Sequence, residues 1–142
     1  MRISAKTEYA CIAVMELGNC YGDGDPVRVR DIAERHGIPS RFLVQILLQL
    51  KAAGFVASTR GASGGYRLVR SPDEITLGEV MTVVEGADDT SASSLQSSSR
   101  AAAVLRDSWQ AARQAQAAVL SSITLTDLVD RAAVEAESMY YI

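Results

Sequence analysis

The segment from Val29 to Arg70 changes its periodicity halfway, and this change restricts the possible folds more than any other feature of the chain. Its first half has the apolar spacing of two short helices, with Gly37 and Pro39 between them as a turn. Gly37 can adopt a positive φ, and Ala33 is small enough for two helices to cross closely. The inward face comprises Ile38, Leu43, Ile46, Leu47 and Leu50. The pattern predicts a helix-turn-helix.

The second of these helices has a distinct polar face. Ser40 is expected as its N-cap, and Gly54 is expected to end it near Ala53. Opposite the apolar residues lie, for the most part, Arg41, Gln45, Gln49 and Lys51. We therefore expect this face to point toward a binding partner.

After Gly54 the spacing becomes that of a β-hairpin. Phe55, Val56 and 58–60 favour a strand, 61–65 a turn, and 66–69 the returning strand. Three glycines in the turn GASGG remove the β-carbon where a backbone approaches something closely. Since Arg60 and Arg67 flank the tip, the hairpin is predicted to be a wing that lies on a phosphate backbone.

Positive charge is concentrated in the same segment. Residues 28–70 carry eight basic and two acidic groups, a balance of +6, whereas the whole chain has a net charge of −3. This concentration favours double-stranded DNA as the partner despite the acidic composition overall. The alternative is a solvated arginine face on a helix pair that binds protein, but that alternative does not explain the glycine-tipped wing.

Several other classes of protein are disfavoured. No run of about 18 apolar residues exists and the first helix carries charges, so neither a membrane span nor a signal peptide is expected, and the protein should be cytoplasmic. Cys11 and Cys20 are nine positions apart and form no zinc-binding or CxxC motif. Cys11 is expected as a small buried apolar residue and Cys20 as an accessible one. With a single histidine, the chain is not expected to be an enzyme.

The segments around this motif also carry helix signals. A first helix over Ser4–Asn19 should pack beneath the helix-turn-helix, and Val27–Val29 could pair with the wing. Thr76 to Glu79 has the spacing of a capping box that opens a helix over 77–85. Thr124 to Asp127 resembles it and opens a last helix through about Glu137.

Between these two helix starts, 100–122 predicts a long, alanine-rich helix with a narrow apolar seam. The seam comprises Leu105, Trp109, Ala112, Gln116, Val119 and Leu120. Since such a helix is hardly stable alone, we predict a two-fold homodimer. The predicted fold is mainly α with a small β-hairpin wing: a winged helix-turn-helix DNA-binding domain at 1–85, a flexible loop at 86–99, and a dimerisation helix with a C-terminal helix at 100–142.

Over nearly its whole length the chain resembles the Rrf2 family of bacterial transcription regulators. The resemblance lies in MRISAKTEYA, DIAERHGIP, FLVQILLQLKAAGFV, RGASGGYRL, ITLGEVMTVVEG, and Trp109 followed by ITLTDLV. It implies a homodimeric repressor with a recognition helix at about 40–53 in the major groove and a wing at about 56–69 in the minor groove. The residues predicted to contact DNA are Lys6, Arg28, Ser40, Arg41, Phe42, Gln45, Lys51, Arg60, Gly61, Ser63, Gly64 and Tyr66.

The chain departs from the family at its iron–sulfur site. Cluster-binding members carry three cysteines where this sequence has Ser91, Ser97 and Ala103. A hydroxyl does not replace a thiolate as a ligand for this soft cluster, so no cofactor is expected. A redox-sensing branch uses residues that correspond to Glu8 and His36 as ligands together with cysteines. An iron–sulfur redox sensor based on this pair therefore stays as an alternative.

The predicted function is that of a sequence-specific DNA-binding transcription regulator, acting as a repressor. Val44 stands where some family members have an acidic recognition residue, so their operator preference does not transfer. The main alternative is a winged-helix interaction module that regulates a metabolic enzyme, as in one branch of the family. The signal could be a small effector, a partner enzyme, or oxidation at Cys11 or Cys20.

Overall fold

The computed structural model describes residues 1–86 and 98–140, and within these ranges the chain forms six α-helices, one 3-10 helix and one antiparallel hairpin. The elements are α1 (Ala5–Asn19), α2 (Val29–His36), α3 (Ser40–Ala52), β1 (Val56–Thr59), β2 (Gly65–Leu68), a 3-10 helix (Pro72–Glu74), α4 (Leu77–Glu85), α5 (Arg100–Ser122) and α6 (Leu125–Tyr140). The predicted mainly α fold with a small wing is confirmed. Most of the loop predicted at 86–99, including Ser91 and Ser97, lies outside the described residues.

One apolar core holds the first four helices and the hairpin together. It forms because α1 and α3 each place an apolar stripe against the other elements. The completely buried residues include Ala13, Val14, Leu43, Ile46, Leu47, Leu50, Ile75, Val80 and Leu125. Each buried Val, Leu or Ile side chain contributes roughly 1.5–3 kcal/mol relative to an exposed one.

The starts of α4 and α6 pair with each other. Thr76 and Thr124 form an isolated antiparallel bridge, and the backbone N–H of Leu77 donates to the carbonyl of Ile123 at 3.0 Å. Each threonine also closes a capping box with the acidic residue three positions later. The sequence similarity between the two helix starts therefore has a structural role, because it aligns them so that Leu125 enters the core.

The start of α3 corrects the sequence prediction by one position. Pro39 is the N-cap, with φ of −60° and ψ of 126°, and Ser40 is already the first helical residue. The carbonyl of Pro39 accepts hydrogen bonds from the N–H groups of Phe42 at 3.1 Å and Leu43 at 3.2 Å. The Ser40 side chain therefore does not cap the helix. Its place on the first turn leaves the hydroxyl exposed.

In contrast to α3, α5 is mostly exposed. Within α5, which the structure describes over its full length, Ala102 is the only buried residue. Leu105, Trp109 and Val119 of the predicted seam are exposed, and Leu120 is half-buried. Beyond Asp130, the described residues of α6 are exposed as well. No helix in the described part of the chain is both long and apolar enough to cross a bilayer.

Candidate DNA-binding surface

The turn between α2 and α3 has the geometry that the sequence predicts. Gly37 ends α2 with φ of 65° and ψ of 32°, in the left-handed region where glycine carries no β-carbon penalty. Ala33 and Ile38 are buried at the crossing of the two helices, and the N–H of Ile38 donates to the Ala33 carbonyl at 3.0 Å. This turn fixes which face of α3 looks outward.

The outward face of α3 carries the predicted contacts of this helix: Ser40, Arg41, Phe42, Gln45 and Lys51 are all exposed. The guanidinium carbon of Arg41 lies 4.9 Å from the centroid of the Phe42 ring, a cation–π contact that limits where the arginine can go. Nζ of Lys51 donates to Oγ of Ser58 at 2.7 Å and so links the helix to the wing. Gln49 is half-buried, and its Oε1 has no hydrogen-bond partner in the described part of the chain.

The wing is a short hairpin that β1 and β2 form in antiparallel register. Val56 pairs with Leu68, and Thr59 pairs with Gly65. Val27 adds a third backbone segment, because its N–H and carbonyl each exchange a 2.8 Å hydrogen bond with Tyr66. Only Val27 of the expected 27–29 strand pairs in this way, since α2 begins at residue 29.

The glycines of the wing are required by the chain's own packing. A β-carbon on Gly64 would lie 2.2 Å from the carbonyl oxygen of Thr59, and one on Gly65 would lie 2.4 Å from that of Val27. The close approach that the sequence predicted is therefore made to protein backbone. Gly61 has space around it but adopts φ of 105°, which also favours glycine.

The remaining predicted contacts divide into outward and structural positions. Arg60, Gly61 and Ser63 are exposed at the wing tip, whereas Tyr66 is half-buried against the core. Nη2 of Arg28 donates to the carbonyl of Ala62, so that this arginine braces the tip from the start of α2.

Lys6 belongs to a different element from the other predicted contacts. It lies half-buried in the first turn of α1 rather than on α3 or the wing. The structure thus brings together the predicted contacts of α3 and the wing in one module, with Arg28 beside them.

Glu16 is a structural residue that the sequence did not reveal. This buried carboxylate on α1 accepts from Nη1 of Arg35 at 2.7 Å, and its Oε1 lies 2.7 Å from Nε2 of His36. It therefore ties the last turn of α2 to α1. An acidic residue within the apolar run AVMELG could have indicated a buried carboxylate. Its partners could not be identified from the sequence, because they lie about 20 positions later.

The proposed ligand pair Glu8 and His36 is not brought together around a common site. His36 is committed to Glu16, while Glu8 is exposed about two helical turns, or roughly 12 Å along α1, from Glu16. Among the described residues, no group of three or more His, Cys, Asp or Glu side chains could hold a metal ion.

Both thiols favour the protonated form. Burial raises the pKa of the Cys11 thiol, and the negative carboxylates of Glu8 and Glu85 raise it further, to about 11. Burial and the nearby Asp23 also raise the pKa of Cys20. Both side chains are half-buried, so Cys11 is less buried and Cys20 less accessible than expected. A low thiolate fraction makes both residues poor nucleophiles.

The helix pair, the exposed outward helix and the braced wing define a winged helix-turn-helix DNA-binding protein. The Rrf2 family model, described as an iron-dependent transcriptional regulator, matches residues 3–131. The chain belongs to the Rrf2 family, and it is accordingly a DNA-binding transcription regulator and not an enzyme.

Named relatives and solved structures agree with this assignment. The chain is 36% identical to the HTH-type transcriptional regulator CymR of Bacillus subtilis over 143 residues, which covers 100% of both chains. The structure of CymR, the global cysteine regulator of B. subtilis, aligns with a TM-score of 0.80 and 35% identity over 92% of this chain and 98% of that chain. IscR of T. potens aligns with a TM-score of 0.77 and 35% identity over 93% of this chain and 88% of that chain.

The description of the family as iron-dependent raises the question of whether the residues present suit an iron–sulfur cluster. In the described part of the chain they do not. Ala103 offers a methyl group on an exposed turn of α5, the thiols of Cys11 and Cys20 are nine residues apart on α1 and at its end, and His36 is already bonded to Glu16. These residues therefore do not provide the ligand set of an iron–sulfur cluster.

Proposed function

We propose that the protein is a homodimeric transcriptional repressor, with α3 in the major groove and the wing in the minor groove of its operator. The observation that carries the proposal is the segregation of charge. Residues 28–70 hold a balance of +6 in a chain of net charge −3, and they contain both α3 and the wing. A cytoplasmic location is part of this proposal, because bacterial DNA lies there.

The exposed side chains suit distinct contacts. A guanidinium such as that of Arg41 pairs with the O6 and N7 acceptors of guanine, and an amide such as that of Gln45 with N6 and N7 of adenine. Ser40 at the helix start and Lys51 near its end are positioned for phosphates. Arg60 at the wing is suited to the narrow, electronegative minor groove.

Dimerisation is supported by the exposed seam of α5. Trp109 is 54% exposed and Leu105 is 42% exposed, although both belong to the apolar stripe of a 23-residue helix. Packing against the α5 of a second copy would remove this surface from water. A two-fold dimer would also present two α3 helices to half-sites about 34 Å apart.

We infer that regulation comes from a small ligand or a partner protein and not from an iron–sulfur cluster. Two observations support this inference. Among the described residues, no group of three or more His, Cys, Asp or Glu side chains could hold a metal ion. A groove of about 640 Å³ also lies between α4 and α5 and could take a small ligand. Its walls include Met81, Arg113 and Leu120. An anaerobic absorption spectrum with iron and sulfide assays tests this part, and stoichiometric iron and sulfide would contradict it.

The salt dependence of binding tests the main proposal. Fluorescence anisotropy on DNA from the upstream region of its own gene should give an affinity that falls steeply between 50 and 200 mM salt, by roughly 10³-fold or more for six or more phosphate contacts. Sedimentation of the free protein should show a dimer. Absence of any salt-sensitive binding would favour the interaction module that regulates an enzyme.

A further inference from the structure

Two exposed aliphatic side chains lie on the outward face of α3 and are absent from the predicted contacts. Val44 is 41% exposed and Leu48 is 52% exposed. They are four residues apart, so they lie one above the other on the same side of the helix. Their sequence neighbours Leu43 and Leu47 are completely buried, and Val44 and Leu48 therefore do not extend the core.

The surroundings of this apolar pair are polar and basic. Arg41, Val44, Gln45 and Leu48 follow the i, i+3, i+4, i+7 spacing of a single helix face. Lys51 lies one turn beyond, on the same side of the helix as Val44. Within the described residues of 28–70, the acidic groups Asp31 and Glu34 both belong to α2 and not to α3. An apolar pair within a positive rim is complementary to a partner that is negative overall but has small apolar groups at its centre.

We propose that Val44 and Leu48 read thymine in the operator by contact with its C5-methyl group. This inference rests on the proposed DNA-binding function. In the major groove, the thymine methyl is the apolar group that the base pairs present, and aliphatic side chains contact it. Gln45, between the two aliphatic residues, has the donor and acceptor that adenine requires. The central part of each half-site is therefore read as A·T pairs.

Helix geometry sets the spacing of the two thymines. Residues four apart are separated by about 6 Å along a helix. Successive base pairs are about 3.4 Å apart. Val44 and Leu48 should therefore contact methyl groups about two base pairs apart in each half-site.

An apolar protein partner is the competing occupant of this face. Charge complementarity favours DNA, because Arg41 and Lys51 on the same helix both remain exposed beside the pair. Lys51 additionally reaches Ser58 of the wing, so the surface that contains the pair continues into the hairpin.

The experiment removes the methyl groups without changing the base pairing. Sites are first selected from a random double-stranded DNA pool with the full-length protein, and each thymine of the selected site is then replaced by deoxyuridine. We expect two positions in each half-site, about two base pairs apart, where this replacement weakens binding about fourfold, as for loss of one buried methyl-sized group.

Variants assign each methyl group to a side chain. Val44→Ala should abolish the deoxyuridine effect at one of the two positions, and Leu48→Ala at the other. Val134→Ala is the matched control, since Val134 is an exposed valine on α6, outside α3 and the wing, and should leave both effects intact.

Three results would overturn the inference, and they differ in what they say about function. Salt-sensitive binding with no deoxyuridine effect at any position would refute methyl readout but leave the DNA-binding function standing. Deoxyuridine effects that persist in both variants would assign the methyl contacts to other residues. Failure to select any DNA would refute the proposed function together with this inference.

Discussion

The first 86 residues and helix α5 use similar apolar residue types with opposite results. In α3, Leu43, Ile46 and Leu47 are completely buried because α1, α2, α4 and the hairpin surround them. In α5, Leu105 and Trp109 remain exposed although they follow an equally regular stripe. The winged-helix module completes its core within one chain, whereas the stripe of α5 stays exposed within one chain.

The small side chains of α5 explain part of the difference. Alanine favours the helix but offers little surface to bury, and eight of the 23 residues of α5 are alanine. The few large apolar side chains of α5 are therefore too sparse to form a core of their own. The first 86 residues are joined to the rest of the described chain by the packing of α6 on α1 and on the 3-10 helix, by the packing of α5 on α4, and by the paired starts of α4 and α6. Whether the chain divides into separate domains at residues 85 and 100 stays a prediction.

The largest effect should come from the core of the module. Leu47→Ala removes a completely buried side chain from α3 and should lower the free energy of unfolding by about 2–5 kcal/mol. Leu48→Ala on the next residue is the control and should change stability by less than about 0.5 kcal/mol, because Leu48 is exposed. Urea denaturation measures both, and equal losses would contradict the closed core of α3.

The next largest effect concerns α5. It should change the affinity of dimerisation and not the stability of the folded chain. Leu105→Glu places a charge in the proposed dimer seam and should weaken dimerisation by at least about 2 kcal/mol, or roughly 30-fold. Gln114→Glu adds the same charge nine residues later, on about the opposite side of the helix, and should leave the dimer intact. Sedimentation equilibrium distinguishes them. If both variants stay dimeric, the seam is not the interface.

A smaller effect, on affinity for DNA, distinguishes the wing from the C-terminal helix α6. Arg60→Ala at the wing should lower operator affinity roughly tenfold and reduce the slope of log K against log salt by about one. Arg131→Ala, which removes an exposed arginine from α6, should change neither quantity. An affinity unaltered by Arg60→Ala would remove the wing from the proposed interface.

A separate effect, on a reaction rate and not on an equilibrium, concerns the thiol of Cys11 in α1. Since its pKa is raised to about 11 from an ordinary value of 9.0, Cys11 should react with iodoacetamide at pH 8 on the order of 100-fold more slowly in the folded than in the unfolded protein. The raised pKa also means that its contribution to stability, present below pH 9, is lost as the pH rises toward 11. Mass spectrometry of labelled peptides measures the rates. Fast labelling of Cys11 in the native protein would restore oxidation as a signal.

Local signals predicted the elements of this fold well. The bounds of α5, the capping box at Thr76 and the left-handed Gly37 follow from residue types within a few positions of each other. Pro39 shows the limit of such reasoning, because its extended backbone makes it the N-cap in place of the better side-chain capper Ser40. Boundaries depend on backbone geometry that neighbouring residues constrain only in part.

The candidate DNA-binding surface was predictable in its position but not in all its members. The periodicity of α3 and the glycines of the wing located it, and the charge balance indicated its partner. Val44 and Leu48 are proposed members that the predicted contacts omit, because the exposure of an aliphatic residue is known only once the buried face of the helix is known. Tyr66 and Arg28, predicted as DNA contacts, also have structural roles in the wing through Val27 and Ala62.

The sequence by itself determined the helices, the hairpin and the clustering of basic residues, since periodicity, capping and charge act over a few neighbouring positions. Only the tertiary structure decided that Glu16 joins Arg35 and His36, and that the starts of α4 and α6 pair. It also decided which apolar stripe became a core and which stayed exposed. These outcomes depend on contacts between residues that are remote in the chain, and burial and pairing are properties of such contacts.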